Sequence, residues 1–301
     1  MAHTPVLLNQ VLSAFADGSL DLFLDGTVGA GGHAAALLEA HPEIRCYLGL
    51  DQDPTALALA TKNLAPWREK VELQRRNFVD LEEALAGQEA DGILLDIGVS
   101  SMQLDTPERG FSFRYEAPLD MRMDPEGTLT AEMVVNTWAE RDLARLFRDW
   151  GEEPSWRLAA RVIVEDRPFY TTLELANLLD RTLRGKPGIH PATRVFQALR
   201  ICVNRELEVL QNALNTAIRV LKPGGRIAVI SFHSLEDRIV KDTFRHWAAD
   251  KVSSAVRPGL FLDKAPLASI LTKKPLEASE NEIANNPRAR SAKLRVATST
   301  R

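Results

Sequence analysis

The residues best suited to chemistry are acids and a histidine set around a glycine turn. In the stretch from Leu22 to Pro54, LFLDGTVGAGGHAAALLEAHPEIRCYLGLDQDP, Asp25 precedes Gly29, Gly31, Gly32 and His33, and a second apolar run ends on Asp51 and Asp53. Glycines let the backbone turn tightly and a ligand come close. A carboxylate at the tip of the second strand is where a doubly wound sheet holds a ribose, so a mononucleoside-type ligand is expected. Gly29 to Ala34 also meets the loose dinucleotide pattern G-x-G-x-x-G/A, which keeps a nicotinamide-dependent oxidoreductase as a competitor. Asp25 argues against a pyrophosphate there. At roughly 5 Å and an effective dielectric near 20, each like-charge pair costs on the order of 3 kcal/mol, whereas the ammonium and sulfonium of S-adenosylmethionine would be attracted. The plainer roles are an Asp25 that bonds only the turn's backbone and a His33 that merely starts a helix.

Two further strand ends carry candidates. Gly92-Ile93-Leu94-Leu95-Asp96-Ile97 is apolar enough to be a central strand and places Asp96 before Gly98-Val99-Ser100-Ser101. Ile227 to Ile230 leads into Ser231-Phe232-His233-Ser234, which makes His233 a catalytic candidate beside Asp96. Phe78, after a third strand from Val71 to Asn77, has the ring to stack on adenine and equally the pattern of a core residue. Open α/β sheets bind ligands at this carboxyl edge.

The elements that position these residues follow from periodicity. Val6, Leu7, Leu8, Val11, Leu12 and Phe15 form a helical stripe; Ala34 to Glu39 and a segment opened by Asp53-Pro54 suit helices. From about Leu104 to Pro191 strand alternation disappears and short amphipathic helices take over, among them the capping box Thr171-Thr172-Leu173-Glu174. The pattern predicts a core of residues 1–103 and 192–301 with an inserted helical domain at 104–191, closed by Gly185-Lys186-Pro187-Gly188. One long helix is predicted from Phe196 to Leu221. Residues 248–267 read as a loop with a short helix, and Ile270 to Thr272 and Leu294 to Ala297 as a final antiparallel pair without a helix between them.

Composition sets the class. The chain has 301 residues, 45% of them hydrophobic, and a net charge of −4, as expected of a soluble globular protein. No apolar run reaches the roughly 20 residues of a membrane span, and MAHTPVLLNQVL is not a secretory signal, so the cytoplasm is expected, or an organellar stroma or matrix if a transit peptide has been removed. Cys46 and Cys202 have neither metal nor disulfide spacing. Nothing global marks a nucleic-acid binder, but the tail gathers Arg288, Arg290, Lys293, Arg295 and Arg301.

With these stretches in place, the chain resembles the RsmH/MraW family of bacterial and organellar methyltransferases. The likeness rests on HTPVLL at His3 to Leu8, the Asp25 to His33 loop, DGILLDIGVSS at Asp91 to Ser101 and RGFSF at Arg109 to Phe113. It continues through PLDMRMD at Pro118 to Asp124, HPATRVFQALR at His190 to Arg200, Ser231 to Lys241, and NPRARS at Asn286 to Ser291. It implies a class I, Rossmann-like methyltransferase sheet with an inserted all-helical RNA-recognition domain. The implied reaction is methylation of the N4 amine of a cytosine in small-subunit ribosomal RNA, free or in the assembled subunit, with S-adenosyl-L-methionine as donor. By the same likeness Gly31, Gly32, His33, Asp51, Phe78, Asp96 and Gln103 hold the donor. Met102 replaces the family's usual proline and Gln52 a common arginine. Arg109, Arg122, Arg194, Arg200, Arg288 and Arg290 are the candidates for gripping RNA phosphates or stacking on bases; their ordinary role would be pairing with acids such as Asp120. No metal is expected. The competing functions are a methyltransferase for a small molecule or protein, and a non-catalytic assembly factor that binds the donor as a structural ligand.

Overall fold

The computed structural model describes residues 5–185, 188–253 and 261–301. His3, Thr4, Lys186 and Pro187, named above, lie outside them. The chain divides into two compact units, residues 1–98 with 207–301, and residues 99–206.

In the first unit the apolar runs become strands β1 (Leu22–Asp25), β2 (Cys46–Asp51), β3 (Val71–Arg75), β4 (Ala90–Asp96) and β5 (Leu221–Ser231). They lie parallel in the order β3-β2-β1-β4-β5. The runs in β1, β2, β4 and the second half of β5 are continuous rather than alternating because both faces are covered, whereas the edge strand β3 alternates apolar and polar residues. Phe23, Tyr47 and Leu94 enter one core cluster with Phe15 and Leu37, while their neighbours Leu24, Leu48 and Leu95 enter the other with Leu214 and Phe244. Strand order reverses between β1 and β4, which opens a crevice at their carboxyl ends; Asp25 and Asp96 terminate those two strands. After β6 (Lys251–Ser253), β7 (Phe261–Asp263), β8 (Ala268–Ile270) and β9 (Leu276–Glu277), β10 (Lys293–Ser299) runs antiparallel to β5 and takes β8 and β9 on its other edge.

The second unit is helical. Helices Ala131–Thr137, Glu140–Asp149, Trp156–Asp166, Thr172–Thr182 and Thr193–Asn204 enclose Leu143, Phe147, Ile163, Leu175, Leu179, Val195 and Leu199. The Thr171–Glu174 capping box forms as the sequence predicts. This unit is wider than residues 104–191 because Val195, Phe196, Leu199 and Cys202 bury themselves in the helical core.

The long helix from Phe196 to Leu221 does not form as one. It breaks at Arg205, whose φ is 51°, into Thr193–Asn204 and Glu206–Val220. Asn204 explains the stop: its amide donates to Met121 O and Arg200 O, and its Oδ1 accepts from Met123 N, so a loop distant in sequence holds the helix end. Two smaller expectations also change. Of the expected loop and short helix over 248–267, residues 254–260 lie outside the described residues, and among the described ones β6 pairs antiparallel with β7. A helix, Glu280–Asn285, does stand before β10, started by Ser279, whose hydroxyl accepts from Glu282 N.

Candidate active site

The β1 end is organised from inside. Asp25 is only 1% exposed, and its carboxylate accepts from Thr27 N at 3.0 Å and from the Tyr47 hydroxyl at 2.8 Å. Burial raises its pKa to about 6. The plainer role weighed for Asp25 is therefore the one its hydrogen bonds fill, and what it adds to the crevice is charge rather than a free oxygen. Thr27 carries the turn onward, its Oγ1 accepting from Asp96 N at 2.6 Å, so β1 and β4 are tied at their tips.

Asp51 closes β2. Its oxygens accept from Gly29 N at 3.0 Å and Asp53 N at 2.9 Å, which fastens the glycine turn to the second strand, and burial raises its pKa to about 6. Gly31, at φ 85°, sits just before the helix Gly32–Ala40 in a conformation that favours glycine. His33 lies in that helix's first turn and is nearly buried. Its Nε2 is 2.9 Å from Val6 O, which places a proton on Nε2, so in the neutral ring Nδ1 turns a lone pair toward Asp96 Oδ2 at 3.6 Å. Phe78 follows β3 in a 3-10 turn begun by Asn77, whose side chain accepts from Val79 N. Its Cβ lies 2.9 Å from where a Cβ on Gly26 would stand, so Phe78 sits against the β1 turn.

Asp96 is the least satisfied group. A quarter of its side chain reaches the surface, yet Oδ1 is buried with no hydrogen-bond partner. Burial, then the charges of Asp25 and Glu236, raise its pKa to about 8. None of Asp25, Asp51 and Asp96 is ion-paired with a lysine or arginine among the described residues. Desolvated carboxyls without a cationic partner suit a cationic ligand. The orphaned oxygen and the donor set thus fit a sulfonium-bearing molecule and do not fit a pyrophosphate.

His233 follows β5, but its ring is engaged as the N-cap of the helix Ser234–Ala248: Nδ1 accepts from Glu236 N at 3.4 Å, and Glu236 Oε2 accepts from Phe232 N and His233 N. Nε2 lies 3.0 Å from Glu236 Oε1, off hydrogen-bonding geometry. Ser231 is buried and points its hydroxyl at Lys293 O. Sequence reasoning missed Thr27, Tyr47 and Glu236. Only Glu236 left a local signal, the cap-to-N3 spacing from His233.

Gln103 and four arginine candidates belong to the second unit. Gln103 is buried, and its Oε1 accepts from Ser100 N at 3.0 Å. Arg109 donates to Arg122 O and Met123 O, Arg122 forks onto Asp120 and reaches Gly127 O, and Arg200 forks onto Glu206. Arg194 is half-buried. In the first unit Arg288 is half-buried and Arg290 exposed.

Comparison with known proteins gives the family. The chain is 55% identical to the ribosomal RNA small subunit methyltransferase H of Protochlamydia amoebophila, over 98% of this chain and 96% of that one. It is 50% identical to the protein of that name from Trichormus variabilis, over 98% and 91%. A solved rRNA methylase from Streptococcus thermophilus aligns over 100% of this chain and 99% of its own at 10% identity and a TM-score of 0.45, too slight a likeness to carry weight. The model of the MraW methylase family matches residues 1–300, and the chain belongs to that family.

Proposed function

We propose that this protein transfers a methyl group from S-adenosylmethionine to the N4 amine of a cytosine in small-subunit ribosomal RNA. The observation that carries the reading is the group of carboxyls at the ends of β1, β2 and β4, Asp25 buried and Asp51 and Asp96 partly buried, all raised in pKa and without a lysine or arginine partner among the described residues. Family membership and the names of the relatives supply the substrate class. When bound, the donor supplies a methyl group on an already positive sulfur, so its departure needs little acid assistance.

The difficulty left to the protein is the nucleophile, because the amine's lone pair is delocalised into the cytosine ring. An acceptor for an amino hydrogen favours a pyramidal nitrogen, and alignment at attack distance lowers the barrier further. Asp96 is suited to the acceptor's part: its Oδ1 is unengaged, and a cation beside it favours the ionised form, releasing to solvent the proton that a pKa of about 8 leaves on it near neutrality. Asp51 anchors the glycine turn, and Phe78 offers a ring beside it. His233 shapes the rim by capping its helix, and in this reading it touches no reacting atom.

Incubating the protein with methyl-labelled donor and either free small-subunit RNA or assembled subunits, then mapping the label, tests the proposal. Label on a cytosine N4 supports it. Label on a protein or small molecule, or donor binding without any transfer, supports one of the competing functions instead.

A further inference from the structure

The segment just before the first helix is held in an unusual way. Leu7 occupies the N-cap of the helix Leu8–Phe15 with φ 54° and ψ 33°, a left-handed conformation that disfavours leucine, and it has no side-chain cap to offer. Its side chain is fully buried. Its N–H is instead accepted by Oε1 of Glu282, 275 positions away, at 2.7 Å. Glu282 lies in the helix Glu280–Asn285, fixed by Ser279 at its start and by its own carbonyl, which accepts from Asn286 N.

The residues Glu282 holds lie on the glycine turn. A Cβ on Gly32 would stand 2.7 Å from Pro5 Cγ, so the proline rests directly on that glycine. Val6 O is the partner of His33 Nε2, and His33 Nδ1 faces Asp96. A connected path thus runs from Glu282 through Leu7, Val6 and His33 to the orphaned carboxyl. We infer that Glu282 is a positioning residue for the methyl-donor site: it clamps residues 5–7 onto the glycine turn and so fixes the tautomer and placement of His33 opposite Asp96. Its contact with Leu7 N is what matters, more than its charge near the end of a helix. The inference rests on the methyl-donor reading given above.

The two roles separate by substitution. Glu282→Gln keeps an acceptor at the same reach and removes the charge, whereas Glu282→Asp keeps the charge and withdraws the oxygen by one carbon. With binding of S-adenosylhomocysteine read by calorimetry, Glu282→Asp is expected to weaken the Kd about tenfold, the upper end for one lost hydrogen bond. Glu282→Gln is expected to stay within about twofold of wild type. Amide hydrogen exchange at Gly31 to His33, measured without ligand, should quicken in Glu282→Asp and not in Glu282→Gln. The opposite ranking, or unchanged affinity with a lowered Tm, would reduce Glu282 to a helix cap and overturn the inference. A wild-type protein that binds no S-adenosylhomocysteine would instead overturn the donor reading itself, while the exchange experiment would still report on the clamp.

Discussion

At the ends of β1, β2 and β4 the carboxyls of Asp25, which is buried, and of Asp51 and Asp96, which are partly buried, meet backbone N–H groups, a hydroxyl or a histidine ring and no lysine or arginine among the described residues, and their pKa values rise. In the helical unit the acids hold arginines: Asp120 grips Arg122 with both oxygens and Glu206 grips Arg200 the same way. Burial works to raise Asp120 too, but the guanidinium and backbone donor of Arg122 overcome it and leave the carboxyl below its ordinary value. Complete internal pairing makes scaffold, whereas burial without a cation leaves a place for one to arrive. Arginine content alone therefore says little about RNA contact in this chain, since Arg122 and Arg200 are already occupied.

The strongest way to break this contrast is to exchange the consequences. Arg200→Ala strands a Glu206 carboxylate that is only 10% exposed, and should cost about 3 kcal/mol of stability while leaving donor affinity nearly unchanged. Asp51→Asn should do the reverse. It is expected to lower donor affinity roughly tenfold to a hundredfold with little loss of stability. Denaturant melts and calorimetry on both variants decide the matter; a large affinity loss in Arg200→Ala would mean that the pair serves the site and not only the scaffold.

A smaller effect comes from pH. Because the folded-state pKa values of Asp25, Asp51 and Asp96 lie above the ordinary 3.8, the folded chain binds more protons than the unfolded chain between about pH 4 and pH 8. These acids therefore contribute stability that is present below about pH 4 and lost as pH rises through about 6 for Asp25 and Asp51 and about 8 for Asp96. The Tm of the ligand-free protein should fall from pH 5 to pH 8.5, and Asp96→Asn should flatten the upper part of that fall. Donor affinity should run the other way, rising with pH as Asp96 ionises. A Tm that climbs over the same range would show that these acids do have cationic partners.

The sequence made the sheet edge legible because central parallel strands are uninterrupted apolar runs, and Asp25, Asp51, Asp96 and Ser231 are the first polar residues after them. It could not reveal how those groups are used. That Asp25 is satisfied by Tyr47, that Thr27 accepts from Asp96 N and that Glu282 reaches Leu7 are contacts between residues far apart in the chain. The break at Arg205 was hidden for the same reason: the apolar stripe from Phe196 to Leu221 continues through it, and the stop is imposed by the bonds of Asn204 to the loop at Met121 and Met123. The helix at Glu280–Asn285 is a different case. Its Ser279-x-x-Glu282 start was readable, and the Asn- and Pro-rich composition around it masked the signal.

The smallest expected effect separates free from occupied arginines. Arg290 is exposed on the turn Pro287–Ser291, whereas Arg122 has its guanidinium held by Asp120 and Gly127 O. A phosphate contact releases counterions, so Arg290→Gln should lower RNA affinity a few-fold and reduce the slope of log affinity against log salt by just under one unit, about 0.7 to 0.9. Arg122→Gln should leave that slope unchanged, because removing a guanidinium that already neutralises Asp120 removes no phosphate contact. It should instead lower the stability of the helical unit, by freeing the half-buried Asp120 carboxylate. Filter binding of small-subunit RNA across a salt series reads both variants. A reduced slope in Arg122→Gln would mean that the guanidinium leaves Asp120 for the RNA, and internal pairing would then no longer mark an arginine as scaffold.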